Sequence, residues 1–367
     1  MKIVFDNQIF CRQKYGGISR YFIELAENIS QVSSEDHSYI VAPLHFNKPL
    51  SKSVAAVDPS IYIPWSTQTL GWNSLIGNLS SKMAFRKIAK IQPDLIHETF
   101  FSLTDKWNTS VPKVLTVYDL IREKQNASYN NLQRIKKEAS IDRADKVICI
   151  SEKTKRDLMD MYELDESKVK VIHLGVAQNF AREASQSRRK KQILFVGQRD
   201  GYKNFQMLVS AFASSKLLDD GYRLKTFGGN AFSREEKILF DNLGLTQHQV
   251  VHEEGNDVEL KNAYGESMAL IVPSLDEGFG LPILEALSDG LAVFCSNIEV
   301  FSEIAGDKVE YFNPQDFDDL KTKLNDLLHR DYYEESLVCQ RKSHAKKFTW
   351  EKCAIKTLEV YESLVDG

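Results

Sequence analysis

Residues 274–285 read Ser-Leu-Asp-Glu-Gly-Phe-Gly-Leu-Pro-Ile-Leu-Glu. The stretch follows an apolar run, Leu270–Pro273, and Pro282 suits the first turn of a helix, so a buried strand is predicted to lead into a helix here. Glu277 falls in the predicted loop and Glu285 one turn into the predicted helix. Carboxylates at both ends of such a loop can accept hydrogen bonds from the vicinal hydroxyls of a ribose or a hexose.

Short apolar runs alternate with amphipathic segments through both halves of the chain. Such runs, rich in β-branched residues, are typical of strands buried on both faces of a parallel sheet. The predicted strands are Lys2–Phe5, Tyr39–Ala42, Leu95–His97, Val114–Tyr118, Val147–Ser151, Val169–His173, Ile193–Gly197, Leu224–Gly228, Val250–His252, Leu270–Pro273 and Ala292–Cys295. The alternation predicts an α/β fold of two doubly wound, Rossmann-like domains facing a central cleft, with ligands beyond the carboxyl ends of the strands.

The boundary between the predicted domains falls after residue 178, just ahead of a polar stretch. We interpret Ala181–Lys191 (AREASQSRRKK) as a solvated linker rather than a binding patch. Residues 1–178 would form the first domain and 179–348 the second. Residues 349–367 would add a crossover helix packed back across the first domain, because apolar residues recur there at helical spacing: Ala354, Ile355, Leu358, Tyr361 and Leu364.

Composition narrows the class of protein. The chain has 367 residues, enough for two domains, and its net charge of −4 argues against broad nucleic-acid binding. No signal-peptide pattern and no run of about 18 apolar residues is present, so we expect a cytoplasmic protein. The cysteines lie far apart, which predicts reduced, buried thiols at Cys11, Cys149, Cys295, Cys339 and Cys353.

Two further motifs follow predicted strands. Gly16 and Gly17 precede a helix after the first strand, where a phosphate site and a plain turn are about equally expected. Arg199 and Lys203 lie between the strand Ile193–Gly197 and the next helix. Two cations beside a helix N-terminus can hold a diphosphate, and we favour that function over a pair of surface charges.

Glu277 and Glu285 have seven residues between them, the E-x7-E motif of retaining glycosyltransferases of the GT-B fold. Over nearly its whole length the chain resembles glycosyltransferase family 4. The matching features, in their order and spacing, are the Gly16-Gly17 loop, Pro93–His97, Thr116–Leu120, the strand end at Ser151, Arg199 with Lys203, and Phe348–Glu351.

The resemblance implies roles for these residues. Arg199 and Lys203 would neutralise the leaving diphosphate, and Glu277 would hold the hydroxyls of the transferred sugar. Glu285 would bind the donor ribose. The implied donor-binding set is Gly16, Gly17, Gly278, Phe279, Gly280, Leu281 and Glu285. The resemblance implies no metal or other cofactor and no enzymatic nucleophile, so catalysis would rest on electrostatic stabilisation.

Candidate contacts to the acceptor or the transferred sugar lie in the first half. Tyr118 stands where many relatives carry a histidine, which leaves the identity of the donor sugar open. Asp119 and His97 are candidates too, and the sequence leaves a structural role open on at least equal terms for Asp119 and on equal terms for His97. Asp316-Phe317-Asp318 has the D-x-D form of metal-dependent transferases, but its place before a helix predicts that Asp316 caps that helix.

A basic amphipathic helix is predicted around Trp72–Lys90. Its apolar stripe comprises Trp72, Leu75, Ile76, Leu79 and Met83, and it is flanked by Lys82, Arg86, Lys87 and Lys90. The stripe would either pack on the sheet or, because of the flanking cations, rest on an anionic membrane.

The expected activity is transfer of a hexose or deoxyhexose, with GDP-mannose as the leading donor, to a growing, lipid-linked saccharide of a surface polysaccharide such as O-antigen, capsule or exopolysaccharide. The alternatives are a catalytically silent nucleotide- or saccharide-binding partner and a sugar-nucleotide epimerase.

Overall fold

The computed structural model divides into two compact units. Unit 1 comprises Met1–Gly175 and Trp350–Gly367, and unit 2 comprises Val176–Thr349. The residues that the structure describes are 1–64, 72–103, 105, 107, 110–125, 131–176, 189–199 and 201–365.

Unit 1 is built on a six-stranded parallel sheet in the order β2-β1-β5-β6-β7-β8, and a two-stranded sheet pairs β3 with β4. The strands are β1 (Lys2–Phe5), β2 (His37–Ile40), β3 (Leu44–His45), β4 (Ile61–Tyr62), β5 (Leu95–Glu98), β6 (Lys113–Val117), β7 (Lys146–Cys149) and β8 (Val169–Val171). The helices that connect them are α1 (Gly17–Val32), α2 (Trp72–Ile91), α3 (Ile121–Gln125), α4 (Asn131–Arg143) and α5 (Glu152–Met161).

Unit 2 has a second six-stranded parallel sheet, in the order β11-β10-β9-β12-β13-β14. Its strands are β9 (Gln192–Val196), β10 (Arg223–Phe227), β11 (Val250–Glu253), β12 (Ala269–Val272), β13 (Ala292–Ser296) and β14 (Glu310–Phe312). Its helices are α6 (Phe205–Ala213), α7 (Lys216–Asp219), α8 (Arg234–Asn242), α9 (Asp257–Glu266), α10 (Leu281–Ser288), α11 (Glu299–Ala305), α12 (Phe317–Asp326) and α13 (Glu335–Ala345).

Both sheets confirm the predicted doubly wound α/β pattern. In each unit the order changes direction beside the first strand, because β1 pairs with both β2 and β5 while β9 pairs with both β10 and β12. All eleven predicted strands are present, each within two residues at either end. Three strands were missed, β3, β4 and β14, which are only two or three residues long.

The C-terminal helix α14 (Trp350–Val365) belongs to unit 1 and packs against α1, as predicted. Its buried face includes Ala354, Leu358 and Tyr361. Ile355 was wrongly placed on that face: it is 43% exposed, because the buried positions of α14 recur three and four residues apart around Ala354 and leave Ile355 beyond them.

Two smaller predictions need correction. Arg189 is not part of a solvated linker, because its guanidinium donates to the Ser267 carbonyl (2.7 Å) and lies 3.6 Å from the Asp289 carboxylate. Residues 181–188 of the predicted linker lie outside the described residues. The five cysteines form no disulfide with one another, but the prediction that all are buried is wrong for two of them: Cys11 is half-buried and Cys339 is exposed on α13.

The predicted apolar stripe of α2 divides between two faces. Ile76 is buried in unit 1, whereas Leu75 and Leu79 are 59% and 50% exposed. Met83 is half-buried, and the side chain of Trp72 lies outside the described residues. Packing on the sheet therefore accounts for only part of the stripe.

Candidate active site

The carboxyl ends of β9 and β10 form two tight turns in unit 2. Gly197, Gly228 and Gly229 all have positive φ, at 117°, 78° and 74°. The turns lie against each other: Gly197 N–H donates to the Phe227 carbonyl (2.9 Å), and a Cβ on Gly229 would lie 3.1 Å from the Gly197 carbonyl oxygen. The positive φ favours glycine at all three positions, and at Gly229 a Cβ would also be crowded, so the backbone itself is presented at the strand ends.

The loop after β12 enters α10 through Gly280. This residue is the N-cap, has φ 124°, and would place a Cβ 3.2 Å from Cε1 of Phe301. Phe279 is only 4% exposed and its ring lies 6.4 Å from that of Phe348. The Phe279 side chain is thus part of the core, and only its backbone can serve the predicted donor-binding role.

Two of the predicted site residues meet directly. Lys203 Nζ lies 2.6 Å from Glu277 Oε1, and the Ser274 hydroxyl donates to the same oxygen (2.8 Å). Both charged side chains are partly exposed, at 20% for Lys203 and 15% for Glu277. Leu275 N–H donates to the Tyr202 carbonyl (2.7 Å), which joins the turn Gly201–Lys203 to the loop that carries Glu277.

Glu285, the second carboxylate of the motif, has a different environment. It lies on α10, is 3% exposed, and its Oε2 accepts a hydrogen bond from the Tyr264 hydroxyl (2.8 Å) of α9. Tyr264 is fully buried. The two glutamates therefore do not share one environment, since the Glu277 side chain is partly exposed to solvent whereas the Glu285 side chain is buried inside unit 2. Tyr264 lies in no recognisable motif, so nothing in the sequence indicated that it pairs with Glu285.

Arg199 is held by protein groups on several sides. Its guanidinium contacts both carboxylate oxygens of Glu236, at 2.6 and 3.3 Å, and donates to the Gly228 (3.3 Å) and Asn230 (2.5 Å) carbonyls. The side chain is 6% exposed. Glu236 was not among the predicted site residues. The sequence Ser233-x-x-Glu236 could have indicated a helix capping box, but not this pairing.

In unit 1, the predicted phosphate loop precedes α1. Gly16 is the N-cap, and the Gln13 side chain accepts a hydrogen bond from Ser19 N–H (3.1 Å) in the first turn. A Cβ at Gly16 would collide with the Gln13 side chain, whereas one at Gly17 would meet nothing within 4 Å. The space beside Gly17 is therefore open to a ligand that approaches the helix N-terminus.

His97 is a structural residue. It is fully buried, its Nδ1 lies 2.6 Å from the Tyr361 hydroxyl, and its Nε2 lies 2.8 Å from the Thr116 hydroxyl. Burial lowers its pKa from 6.5 to about 3, so the imidazole is neutral. Because both ring nitrogens are used inside the core, the alternative of an acceptor contact by this side chain is wrong.

Tyr118 and Asp119 follow β6. The Tyr118 ring packs edge-on against Tyr21, with centroids 5.7 Å apart, and burial raises the pKa of its phenol. Asp119 Oδ1 accepts from Ile121 N–H (3.3 Å) at the start of α3, and its carbonyl accepts from Lys137 Nζ (2.9 Å). Asp119 thus has the structural role that was left open, and the contact of Tyr118 with a sugar stays a prediction.

The D-x-D sequence is a helix cap. Asp316 is the N-cap of α12 and its carboxylate accepts from the N–H groups of Asp318 and Asp319, which confirms the capping prediction. Among the described residues, no group of three His, Cys, Asp or Glu side chains is placed to hold a metal ion.

Two family models match consecutive parts of the chain. The model described as Glycosyltransferase Family 4 matches residues 15–179, and the model described as Glycosyl transferases group 1 matches residues 177–345. This chain belongs to glycosyltransferase family 4. The matched ranges of the glycosyltransferase meet at residues 177–179, close to the division between units 1 and 2.

Two curated relatives of the glycosyltransferase are named as mannosyltransferases. It is 36% identical over 108 residues, 29% of its length, to the O-antigen chain mannosyltransferase B of Escherichia coli. It is 26% identical over 309 residues, 76% of its length, to the serotype-specific mannosyltransferase WbdA of the same organism. The matches span 28% and 38% of these two relatives, so it corresponds to well under half of either.

A solved structure supports the GT-B fold of the glycosyltransferase. The complex of HepE from Anabaena with UDP-glucose superimposes with a TM-score of 0.76 at 16% sequence identity, covering 99% of this chain and all of that one. At this identity the likeness establishes the fold alone.

Proposed function

We propose that this glycosyltransferase moves mannose from GDP-mannose, with retention of anomeric configuration, to a growing saccharide of a surface polysaccharide. The donor sugar is proposed from the two mannosyltransferase relatives, which are named for O-antigen chains and serotype. A nucleotide-sugar donor is further supported by the fold, because HepE shares it and is solved with UDP-glucose. In this proposal unit 2 binds the donor and unit 1 the acceptor.

The observation that carries the proposal is the pair of Lys203 and Glu277. Its position at the strand ends of unit 2 offers a cation for the departing diphosphate and a carboxylate for sugar hydroxyls, side by side. In the reaction the bond between the anomeric carbon and the diphosphate oxygen breaks. The acceptor oxygen bonds to that carbon on the same face, and its proton passes to the leaving phosphate oxygen. Lys203 would stabilise the negative charge that develops there.

We further propose that the acceptor is lipid-linked and that the enzyme works at the inner face of a membrane. Helix α2 has an outer face that unit 1 does not cover, with Leu75, Leu79 and Phe85 exposed by 59%, 50% and 44%. The charged residues of α2 are all cations, and Lys82 and Arg86 lie on this outer face. Exposed apolar side chains among cations suit the surface of an anionic bilayer. None of the described helices has the length and apolar character needed to cross a membrane.

The donor proposal is tested by binding and hydrolysis of GDP-mannose, UDP-glucose and dTDP-rhamnose in the presence of a chelator. We expect GDP-mannose to be bound and cleaved without metal, and Glu277→Gln to abolish cleavage. Glu335→Gln, an exposed carboxylate on α13, is the matched control and should behave as the wild type. Cleavage of another donor would replace GDP-mannose, and cleavage that requires a divalent ion would reject the metal-independent reaction.

A further inference from the structure

Arg199 is placed more like a structural brace than a ligand-binding cation. Four hydrogen bonds connect its guanidinium to Glu236 and to the carbonyls of Gly228 and Asn230, and the Phe232 ring lies 4.9 Å from its central carbon. These partners come from the end of β10 and the start of α8, whereas Arg199 itself follows β9. One side chain therefore links the ends of two strands and the start of a helix.

Glu236 is itself fixed by the start of α8. Its Oε2 accepts from Ser233 N–H (2.7 Å), while the Ser233 hydroxyl accepts from Glu236 N–H (3.2 Å), forming a capping box. The Glu236 carboxylate thus accepts hydrogen bonds from two groups, the Ser233 N–H and the Arg199 guanidinium. Because its position is set by the helix backbone, the guanidinium fork is held in one orientation.

Release of Arg199 to a phosphate would be costly. The Glu236 side chain is 16% exposed and Arg199 is 6% exposed, so separating them would leave two largely buried charged groups without each other. The Gly228 and Asn230 carbonyls would lose a donor as well. Lys203 differs from Arg199 in its exposure: its side chain is 20% exposed against 6% for Arg199, although the partner carboxylates Glu277 and Glu236 are similarly buried, at 15% and 16%.

We propose that Arg199 and Glu236 form a positioning pair that shapes the turn Gly228–Asn230, and that Arg199 does not bind the diphosphate. Lys203 is then the cation that meets the donor. The inference rests on the proposed function to the extent that the turn borders the donor site. It assigns a role to Glu236, to which neither the motifs nor the family resemblance gave one.

The test compares Glu236→Gln with Glu235→Gln, its exposed neighbour in the same helical turn. A positioning pair predicts that Glu236→Gln weakens binding of GDP or UDP in calorimetry by about tenfold, the effect of one charge-assisted hydrogen bond, while Glu235→Gln has no effect. If Arg199 bound the phosphate instead, Glu236→Gln would leave nucleotide affinity unchanged or raise it, because the substitution removes a nearby negative charge. That outcome would overturn the inference.

Arg199→Lys gives a second discrimination. It keeps the charge but loses the planar fork, so a positioning role predicts a loss of affinity as large as that of Arg199→Ala, with a raised donor KM and little change in kcat. Near-wild-type affinity in Arg199→Lys would contradict the inference.

Hydrogen exchange in the free protein separates this inference from the donor proposal. Faster exchange at residues 228–233 is expected in Glu236→Gln and not in Glu235→Gln. If wild type binds neither GDP nor UDP, the donor proposal fails, and unchanged exchange in the turn would reject the positioning pair independently.

Discussion

Replacing Gly280 by alanine is expected to destabilise unit 2, whereas the same substitution at Gly17 is expected to leave the fold intact. Gly280 has φ 124°, a conformation that costs a residue with a Cβ about 1–3 kcal/mol. The new methyl group would also lie 3.2 and 3.3 Å from two ring carbons of Phe301, a fully buried side chain that cannot move aside into solvent. Together these effects predict a loss of at least about 2 kcal/mol.

Gly17 provides the matched comparison. It is the first residue of α1, and a Cβ there would meet nothing within 4 Å. Alanine is favoured over glycine in a helix by up to about 1 kcal/mol, so Gly17→Ala should keep or slightly raise the free energy of unfolding. It should nevertheless lower sugar transfer if the backbone at this helix N-terminus approaches the donor diphosphate.

The assay is urea unfolding of wild type, Gly280→Ala and Gly17→Ala, followed by far-UV circular dichroism, with transfer measured on the same preparations. Far-UV detection is needed because all four tryptophans lie outside Val176–Thr349, so their fluorescence does not originate in unit 2. Equal unfolding midpoints for the two variants would refute the steric reasoning at Gly280. Unchanged transfer in Gly17→Ala would refute the phosphate role of the α1 N-terminus.

Three other predictions concern charge. Lys203→Ala should lower kcat about a hundredfold and lower donor affinity much less, because the cation acts mainly on the charge that develops as the diphosphate leaves. Replacing the exposed Lys237 by alanine should change neither kcat nor donor affinity. If Lys203→Ala lowered kcat and donor affinity equally, it would argue against stabilisation of the leaving group. The His97 imidazole is neutral in the folded protein but takes up a proton near pH 6.5 in the unfolded chain. The free energy of unfolding should therefore decrease as the pH falls below 6.5, by up to about 1.4 kcal/mol per pH unit. Urea unfolding between pH 4 and 7 should show this slope in the wild type and not in His97→Gln. Flotation with vesicles should show binding to phosphatidylglycerol but not to phosphatidylcholine, and Arg86→Glu should weaken it while Lys237→Glu does not; lack of binding to anionic vesicles would exclude the α2 surface.

The main architecture could be predicted from the sequence because buried parallel strands leave a local signal. Runs such as Ile193–Gly197 are apolar on both faces, and turn residues bound them, so strand positions follow from short windows. β14 escaped because three residues at a sheet edge, Glu-Tyr-Phe, show no such run. Arg189 was misassigned for a related reason: a cluster of cations indicates solvent exposure until a distant acceptor, here the Ser267 carbonyl, is known.

At the candidate site, sequence spacing identified motifs but not partners. The pairing of Lys203 with Glu277 joins residues 74 positions apart, and that of Glu285 with Tyr264 depends on how α9 and α10 pack. The role of His97 could not be decided from the sequence for the same reason. Its position at the end of a strand left a ligand contact and a structural role equally open, while the two hydroxyls that occupy its ring nitrogens come from β6 and α14.

The return of α14 to unit 1 has a consequence for the order in which the protein matures. Unit 1 is interrupted after Gly175 and is completed only by residues from Trp350 onward, and the Tyr361 hydroxyl that meets His97 is 264 residues away in the chain. During synthesis every residue of unit 2 is made before that hydroxyl exists. The buried imidazole therefore gains this hydrogen-bond partner only when the last helix has been synthesised. Unit 1, whose synthesis begins first, is the unit whose core is completed last.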